Sequence, residues 1–348
     1  MKKKYILILA DFLYPEVVGG SARFASDIND SLVDAGHHIV VISRNPAGDY
    51  SLGAHEFERY EVVRISDFKK VISLIRSNHW DCVISHHFLL GLLSWLVPSR
   101  TVKKYFFQGP CYQEHYAKGG GYIGTAVRYV LESITVFHQN EIFVLSDYMK
   151  QKLPFWAKPK TKIVGPLHRE HFTVLPIHPT SSGGPLKLLT VRRLTPRTGV
   201  KELIELCSHL PDQVHLTVVG KGELLNEIQS NCPANILIVG FVDDCALHEY
   251  YEKADLFVLP SIELEGFGLV ILESLHMGTP VLASSTSGGG AEYLSDISKN
   301  FIYNRTNSPD AFLNNCQAAI QDYKREDIRS ALVSKLNLSS MAEFSTEI

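Results

Sequence analysis

Long apolar runs are missing from this chain: no stretch approaches ~18 uninterrupted apolar residues, so no membrane-spanning helix is expected. Clustered cysteines are missing as well. Cys82, Cys111, Cys207, Cys232, Cys245 and Cys316 form no CxxC pair, which argues against a disulfide framework and for buried or incidental thiols in a reducing compartment, expected to be the cytoplasm. Charge of one sign is also lacking, with 34 Lys and Arg against 37 Asp and Glu and a net charge of −3. That balance excludes the broad positive field of a nucleic-acid-binding protein. No DxD triplet occurs, and the close histidine pair His168 and His171 has no carboxylate or thiolate cluster beside it, so no metal requirement is expected. Gly220-Lys221-Gly222 follows an apolar run, but Leu225 breaks the dinucleotide fingerprint and removes the main support for a dehydrogenase.

The 348 residues, 45% of them hydrophobic, suit two domains of about 150 residues better than one core. Met1-Lys2-Lys3-Lys4 has the charged start of a signal peptide, yet the apolar run from Tyr5 to Ala10 stops at Asp11 with no small-residue cleavage site. It reads as a first buried strand. After a loop with Pro15, Gly19 and Gly20, a helix follows from Ser21 to Ala35, ended by Gly36. Further strands are expected at His38 to Ser43, Cys82 to Ser85, Lys104 to Phe107 and Glu141 to Leu145, with helices between several of them. Alternating strand and helix predicts a parallel sheet covered on both faces. The Pro-, Gly- and Ser-rich stretch from Gly165 to Lys187 reads as a linker. A second series follows, with strands at Leu186 to Val191, Val214 to Val219, Ile236 to Val239, Leu256 to Leu259 and Val281 to Ala283 and helices at Lys201 to Leu210 and Leu269 to Met277. The expected domains are therefore 1–170, 186–329, and a C-terminal helix at 330–348 that packs back across the lobes.

Two segments carry the chemistry. Leu259 to Glu273 follows a strand and opens a helix; Gly266 and Gly268 allow close backbone approach, and the amides of Phe267, Gly268 and Leu269 suit a phosphate. Glu265 and Glu273, taken alone, would be a helix-capping charge and a solvated one; beside that turn they suit sugar hydroxyls. Thr190 to Gly199 follows the first strand of the second series, and its arginines can clamp a diphosphate and neutralise a leaving nucleotide.

These segments resemble those of the GT-B retaining glycosyltransferases of the group 1 (family 4) type, which include sucrose synthases, glycogen synthases and bacterial lipid mannosyltransferases. The resemblance rests on the E-x7-E spacing of Glu265 and Glu273, the RLxxxxG loop from Arg193 to Gly199, the Ser287-Gly288-Gly289-Gly290-Ala291-Glu292 stretch and the P-x-x-x-G-G from Pro15 to Gly20. It implies two Rossmann-like lobes facing across a cleft, the first for the acceptor and the second for a nucleotide-activated hexose, most often a UDP sugar. It further implies Glu265 near the transferred sugar, Glu273 near the ribose, Arg193 on the diphosphate, Gly19 and Gly20 facing the phosphates, and Phe241 and Val242 beside the base.

The chain departs from the pattern twice. Thr198 stands where relatives have lysine, and Arg197 is the neighbouring cation expected to replace it; Gln108, in Phe106-Phe107-Gln108-Gly109-Pro110, stands where they have histidine. Glutamine can donate to a sugar hydroxyl but cannot act as an acid or base. In retaining members the departing phosphate oxygen takes the acceptor's proton, so transfer does not require that histidine. His86 and His87 are the local acceptor-side substitutes, with a core position as the alternative. Ala117 to Tyr122 reads as a loop of the acceptor lobe. The five lysines between Met149 and Ile163, with Phe155 and Trp156, fit either a solvated helix end or a contact with anionic headgroups of a membrane. Two other functions fit the same residues: a nucleotide-sugar epimerase or phosphorylase on this fold, or an inactive donor-binding subunit.

Overall fold

The computed structural model describes residues 3–17, 19–47, 51–53, 55–117, 119–165, 184–263, 265–336, 341, 344 and 345. Most of the expected linker, with His168 and His171, lies outside them. The chain divides into two units, one formed by Met1–His171 with Ser339–Ile348 and one by Phe172–Leu338.

The first unit is built on a sheet of β1 (Tyr5–Ala10), β2 (His38–Ser43), β3 (Glu61–Arg64), β4 (Cys82–Ser85), β5 (Val102–Phe106), β6 (Glu141–Val144) and β7 (Thr161–Ile163). Their order is β3-β2-β1-β4-β5-β6-β7. Every pairing is parallel, with Tyr5 opposite His38 and Ile6 opposite Cys82 flanking the central strand. Both faces of β1 are covered, which is why five successive residues, Ile6 to Ala10, are buried without polar alternation. One side packs Val40, Val71, Ile75 and Trp80; another core cluster gathers Tyr105, Phe107, Val136, Ile142 and Leu153.

The second unit repeats the plan with β8 (Leu186–Val191), β9 (Val214–Val219), β10 (Ile236–Gly240), β11 (Leu256–Leu259), β12 (Val281–Ser284) and β13 (Ile302–Tyr303), ordered β10-β9-β8-β11-β12-β13. All of its pairings are parallel too. In both sheets the order reverses beside the first strand, between β1 and β4 and between β8 and β11. At such a reversal, connections leave in opposite directions and open a crevice at the carboxyl ends of the strands.

β3, β7 and β13 carry no sequence signal of the expected kind. They are two to four residues long, and β3 and β7 hold charged residues at sheet edges. Short charged edges protect a sheet from pairing with other chains and leave too little apolar pattern to read. Of the helix expected at 330–348, most of the last part lies outside the described residues. Helix Glu326–Leu336 belongs to the second unit. Phe344 then packs its ring 5.3 Å from Phe106 and 5.0 Å from Phe143, and the Ser345 hydroxyl donates to Ser31 Oγ at 2.9 Å, all inside the first unit.

Candidate active site

In the second unit, β8 continues past its last residue: the Arg192 amide donates to Val219 O at 2.9 Å and the Leu194 amide to Lys221 O at 3.0 Å. Pro196–Thr198 then forms a single tight turn, in which the Thr198 hydroxyl donates to Thr195 O at 2.6 Å. Thr198 is buried, so its side chain serves the turn itself. Gly199 follows at φ 72°, and a Cβ built there would lie 1.8 Å from Pro260 O. Only glycine lets the arginine loop cross the end of β11 this closely. Arg197 O completes the junction by accepting from the Ile262 amide at 2.9 Å.

That junction sets up a charged network. Arg192 Nη1 donates to Ser261 Oγ at 2.6 Å, Arg192 Nη2 pairs with Glu265 Oε2, and Ser261 Oγ donates to the same carboxylate oxygen at 3.0 Å. Ser261 is held from behind, because its carbonyl accepts from Ser284 Oγ at 2.6 Å and Thr286 Oγ1 at 2.7 Å. Ser287 donates to Leu259 O at 3.1 Å and shares a contact of 2.9 Å with Ser284. Burial acts to raise the Glu265 carboxyl, but the Arg192 guanidinium, the Ser261 hydroxyl and the Arg197 charge together hold it below the ordinary carboxylate range. Glu265 is thus an anion at neutral pH, rigidly aimed.

The Ser287 stretch forms helix Gly288–Ser295, and a Cβ at Gly290 would meet Phe267 O at 2.3 Å. The missing side chain lets this helix lie directly against the turn, where the Gly289 amide donates to Gly266 O at 3.2 Å. Phe267 is buried with its ring 5.5 Å from that of Tyr293, so only its backbone is available to a ligand. Gly268 O accepts from the Ile271 amide at 2.8 Å, and Leu269 leads into helix Val270–His276, whose start carries no side-chain cap. Further along, Glu273 accepts from the buried Tyr251 hydroxyl at 3.1 Å. After β10, Phe241 is exposed with Lys221 Nζ 5.0 Å above its ring, and Val242 is half-buried.

In the first unit, Gly19 is the residue before helix Gly20–Asp34 and its carbonyl accepts from the Arg23 amide at 3.0 Å. Asp11, His87 and Gln108 stand just beyond β1, β4 and β5, around the point where strand order reverses. The Asp11 amide donates to His87 Nδ1 at 3.1 Å, and its carboxylate accepts from the Leu90 amide at 3.0 Å. Burial pushes the Asp11 carboxyl up, against His87, Arg44 and backbone amides that pull it down. Burial likewise pushes His87 down, while Asp11 opposes it. His86 is a core residue: it stacks at 5.3 Å on Phe106, neither ring nitrogen has a partner among the described residues, and burial with His87 pushes it down to about 3. Gln108 is half-buried and its amide nitrogen also lacks a partner among the described residues.

Sequence reasoning did not single out Arg192, Ser261, Tyr251 or Asp11. Adjacent side chains at a strand's end point to opposite sides, so only one of Arg192 and Arg193 can face Glu265. The pattern could not choose between them because Leu188, Leu189 and Thr190 are all buried and show no alternation.

Residues 177–332 match the family described as glycosyl transferases group 1. The chain carries a glycosyl transferases group 1 domain. Relatives extend the likeness beyond this domain: glycogen synthase of Mycobacterium tuberculosis is 25% identical over 82% of this chain and 79% of its own length. The amylovoran biosynthesis glycosyltransferase AmsK of Erwinia amylovora is 32% identical over 30% of this chain and 29% of its own length. The chain's matches thus span under a third of the first curated relatives. Among solved structures, sucrose-phosphate synthase of Thermosynechococcus elongatus superposes with a TM-score of 0.76 at 17% identity, covering 99% of this chain and 97% of that one. HepE of Anabaena, solved in complex with UDP, gives 0.70 at 16% identity, covering 99% and 98%. The fold is therefore the two-lobed α/β GT-B type, with the group 1 domain contributing the Arg192–Ser261–Glu265 network. Among the described residues no group of three or more His, Cys, Asp or Glu could hold a metal, and no helix is long and apolar enough to cross a membrane.

Proposed function

We propose that this protein transfers a hexose from a nucleoside diphosphate sugar to an acceptor hydroxyl, with retention of anomeric configuration and without a metal. The reading is carried by one observation: a charged Glu265 fixed by Arg192 and Ser261 where strand order reverses between β8 and β11. A carboxylate so held accepts from sugar hydroxyls, while arginines on the adjoining loop meet the charge of the diphosphate. Arg193 and Arg197 take the diphosphate with the backbone of Gly266, Phe267, Gly268 and Leu269; Glu273, steadied by Tyr251, takes the ribose; Phe241 and Val242 take the base. A UDP sugar is the donor this supports, since the structural neighbour HepE is solved in complex with UDP and with UDP-glucose.

In the reaction, the bond from sugar C1 to the phosphate oxygen breaks and a bond from C1 to the acceptor oxygen forms on the same face. The departing phosphate oxygen receives the acceptor's proton, so Gln108 only orients the sugar or acceptor. In the first unit, His87 with Asp11 lines the acceptor side. The arginines supply the cationic charge a metal would otherwise provide, and six cysteines without a CxxC pair suit a reducing cytoplasm.

The test begins with a thermal-shift screen of nucleotide sugars, followed by mass spectrometry of products formed from the stabilising donor and cell extract. Glu265→Gln and Arg193→Ala are each expected to lower turnover on the order of 100-fold. Near-normal rates in both variants would refute the reading, and a donor altered without any acceptor would replace it with an epimerase.

A further inference from the structure

Helix Tyr122–Phe137 in the first unit has an apolar face that the fold leaves uncovered. Ile123 is 83% exposed, Val127 51%, Val130 52%, Ile134 38% and Phe137 68%. At ~100° per residue these five positions fall within an arc of roughly 80°, so they form one stripe along a helix about 24 Å long. The opposite face is anchored: Glu132, Thr135 and Val136 are buried, and the Thr135 hydroxyl donates to Phe88 O at 3.0 Å. The outward stripe lies on the face away from these anchors. A continuous exposed apolar stripe on a domain surface marks an interaction site.

The charge beside it identifies the occupant. Residues 122–163 hold six Lys and Arg against three acids, and of those acids Glu132 is buried and Glu141 is paired with Lys104 and Lys162. The lysine-rich segment touches the helix physically. Lys160 Nζ donates to Val136 O, Phe137 O and Gln139 O at 2.8, 2.8 and 2.7 Å, closing the helix end where its dipole favours a cation. Phe137 packs edge-on against Trp156 at 5.8 Å, and the neighbouring Phe155 is 83% exposed in the same segment as Lys150, Lys152 and Lys158.

We infer that this surface docks on an anionic lipid bilayer, with the stripe and Phe155 entering the headgroup–acyl boundary and the lysines facing lipid phosphates. Apolar side chains on one helix face with cations at its border are what an interfacial helix requires, and at 16 residues it lies along the surface and does not span. The inference uses the first unit alone and does not depend on the transfer reaction.

The test is flotation of the full chain with vesicles of phosphatidylcholine and with vesicles in which about a third of the lipid is phosphatidylglycerol. Binding to the anionic vesicles is expected, weakening with salt. The triple variant Ile123→Asp, Val127→Asp, Val130→Asp is expected to lower it at least ~10-fold. Lys150→Glu with Lys158→Glu is expected to remove the preference for anionic lipid. Circular dichroism and donor binding, unchanged in both variants, separate loss of docking from misfolding and from failure of the donor site. Absence of vesicle binding, equal binding by the triple variant, or loss of a concentration-dependent dimer in that variant with vesicle binding intact would each overturn the inference, the last assigning the stripe to a second copy of this chain.

Discussion

Replacing Arg192 with methionine keeps most of the aliphatic stem and deletes the guanidinium that contacts both Ser261 and Glu265. The Arg192 and Glu265 side chains are 10% and 20% exposed, so the carboxylate left behind is largely shielded from water. Removing one partner of a fully buried pair costs about 3–5 kcal/mol. Here the residual exposure and the surviving Ser261 contact at 3.0 Å reduce that to about 2–3 kcal/mol. Turnover is expected to fall about 100-fold, because Glu265 loses its aim and one neighbouring cation disappears. The pH dependence has a defined sign. In the native protein Glu265 is held below its ordinary value, so its contribution to stability is complete above the unfolded carboxylate value of ~4.3 and is lost as pH falls through the lower folded value. Without Arg192, burial dominates and the carboxyl rises, moving the acid limb of donor binding toward neutrality. Urea unfolding and donor calorimetry across the acid range measure both effects. Native stability and turnover in Arg192→Met, with the losses appearing instead in Arg193→Met, would refute the reasoning.

Other perturbations test separate links. Gly199→Ala places a Cβ against Pro260 O at a positive φ, and is expected to destabilise the second unit by at least about 2 kcal/mol in urea unfolding; an unchanged midpoint would contradict the crossing described. Gln108→His restores the residue of the resembling family and is expected to keep or raise turnover, whereas complete loss would give Gln108 a role of its own. His86→Phe keeps the stack on Phe106 and removes a ring that resists protonation down to about 3. Because the unfolded chain takes up that proton below ~6.5, native stability declines from there downward, and the variant is expected to recover about 2 kcal/mol at pH ~5 relative to neutral pH. An identical acid profile in both proteins would show that His86 is not buried neutral.

Sequence reasoning reached furthest where one residue type had one physical explanation. The runs Ile6–Ala10 and Leu256–Leu259 are apolar without alternation because both faces of a parallel strand are covered, so strand and helix order could be read directly. Gly199 was visible only as the closing glycine of the RLxxxxG loop, and its close crossing at Pro260 O was not. The choice between Arg192 and Arg193 was not legible, since two neighbouring guanidinium groups are chemically equal until a partner lies on one side. Tyr251 and Ser261 were equally silent: each gains its role from a carboxylate that folding brings to its hydroxyl. His86 shows the reverse, where a residue type that suits chemistry is enclosed by Phe24 and Phe106.

What the sequence by itself determined is the alternation of elements, the division into two sheets and the position of Glu265, Glu273 and the arginine loop just after strands. Those properties are written in local periodicity and spacing. The tertiary structure alone decided which arginine pairs with Glu265, which histidine is core, that the last residues return to the first unit, and that helix Tyr122–Phe137 turns its apolar stripe outward. Each of these depends on what a side chain meets across the fold, and contacts between residues tens of positions apart leave no trace in local pattern.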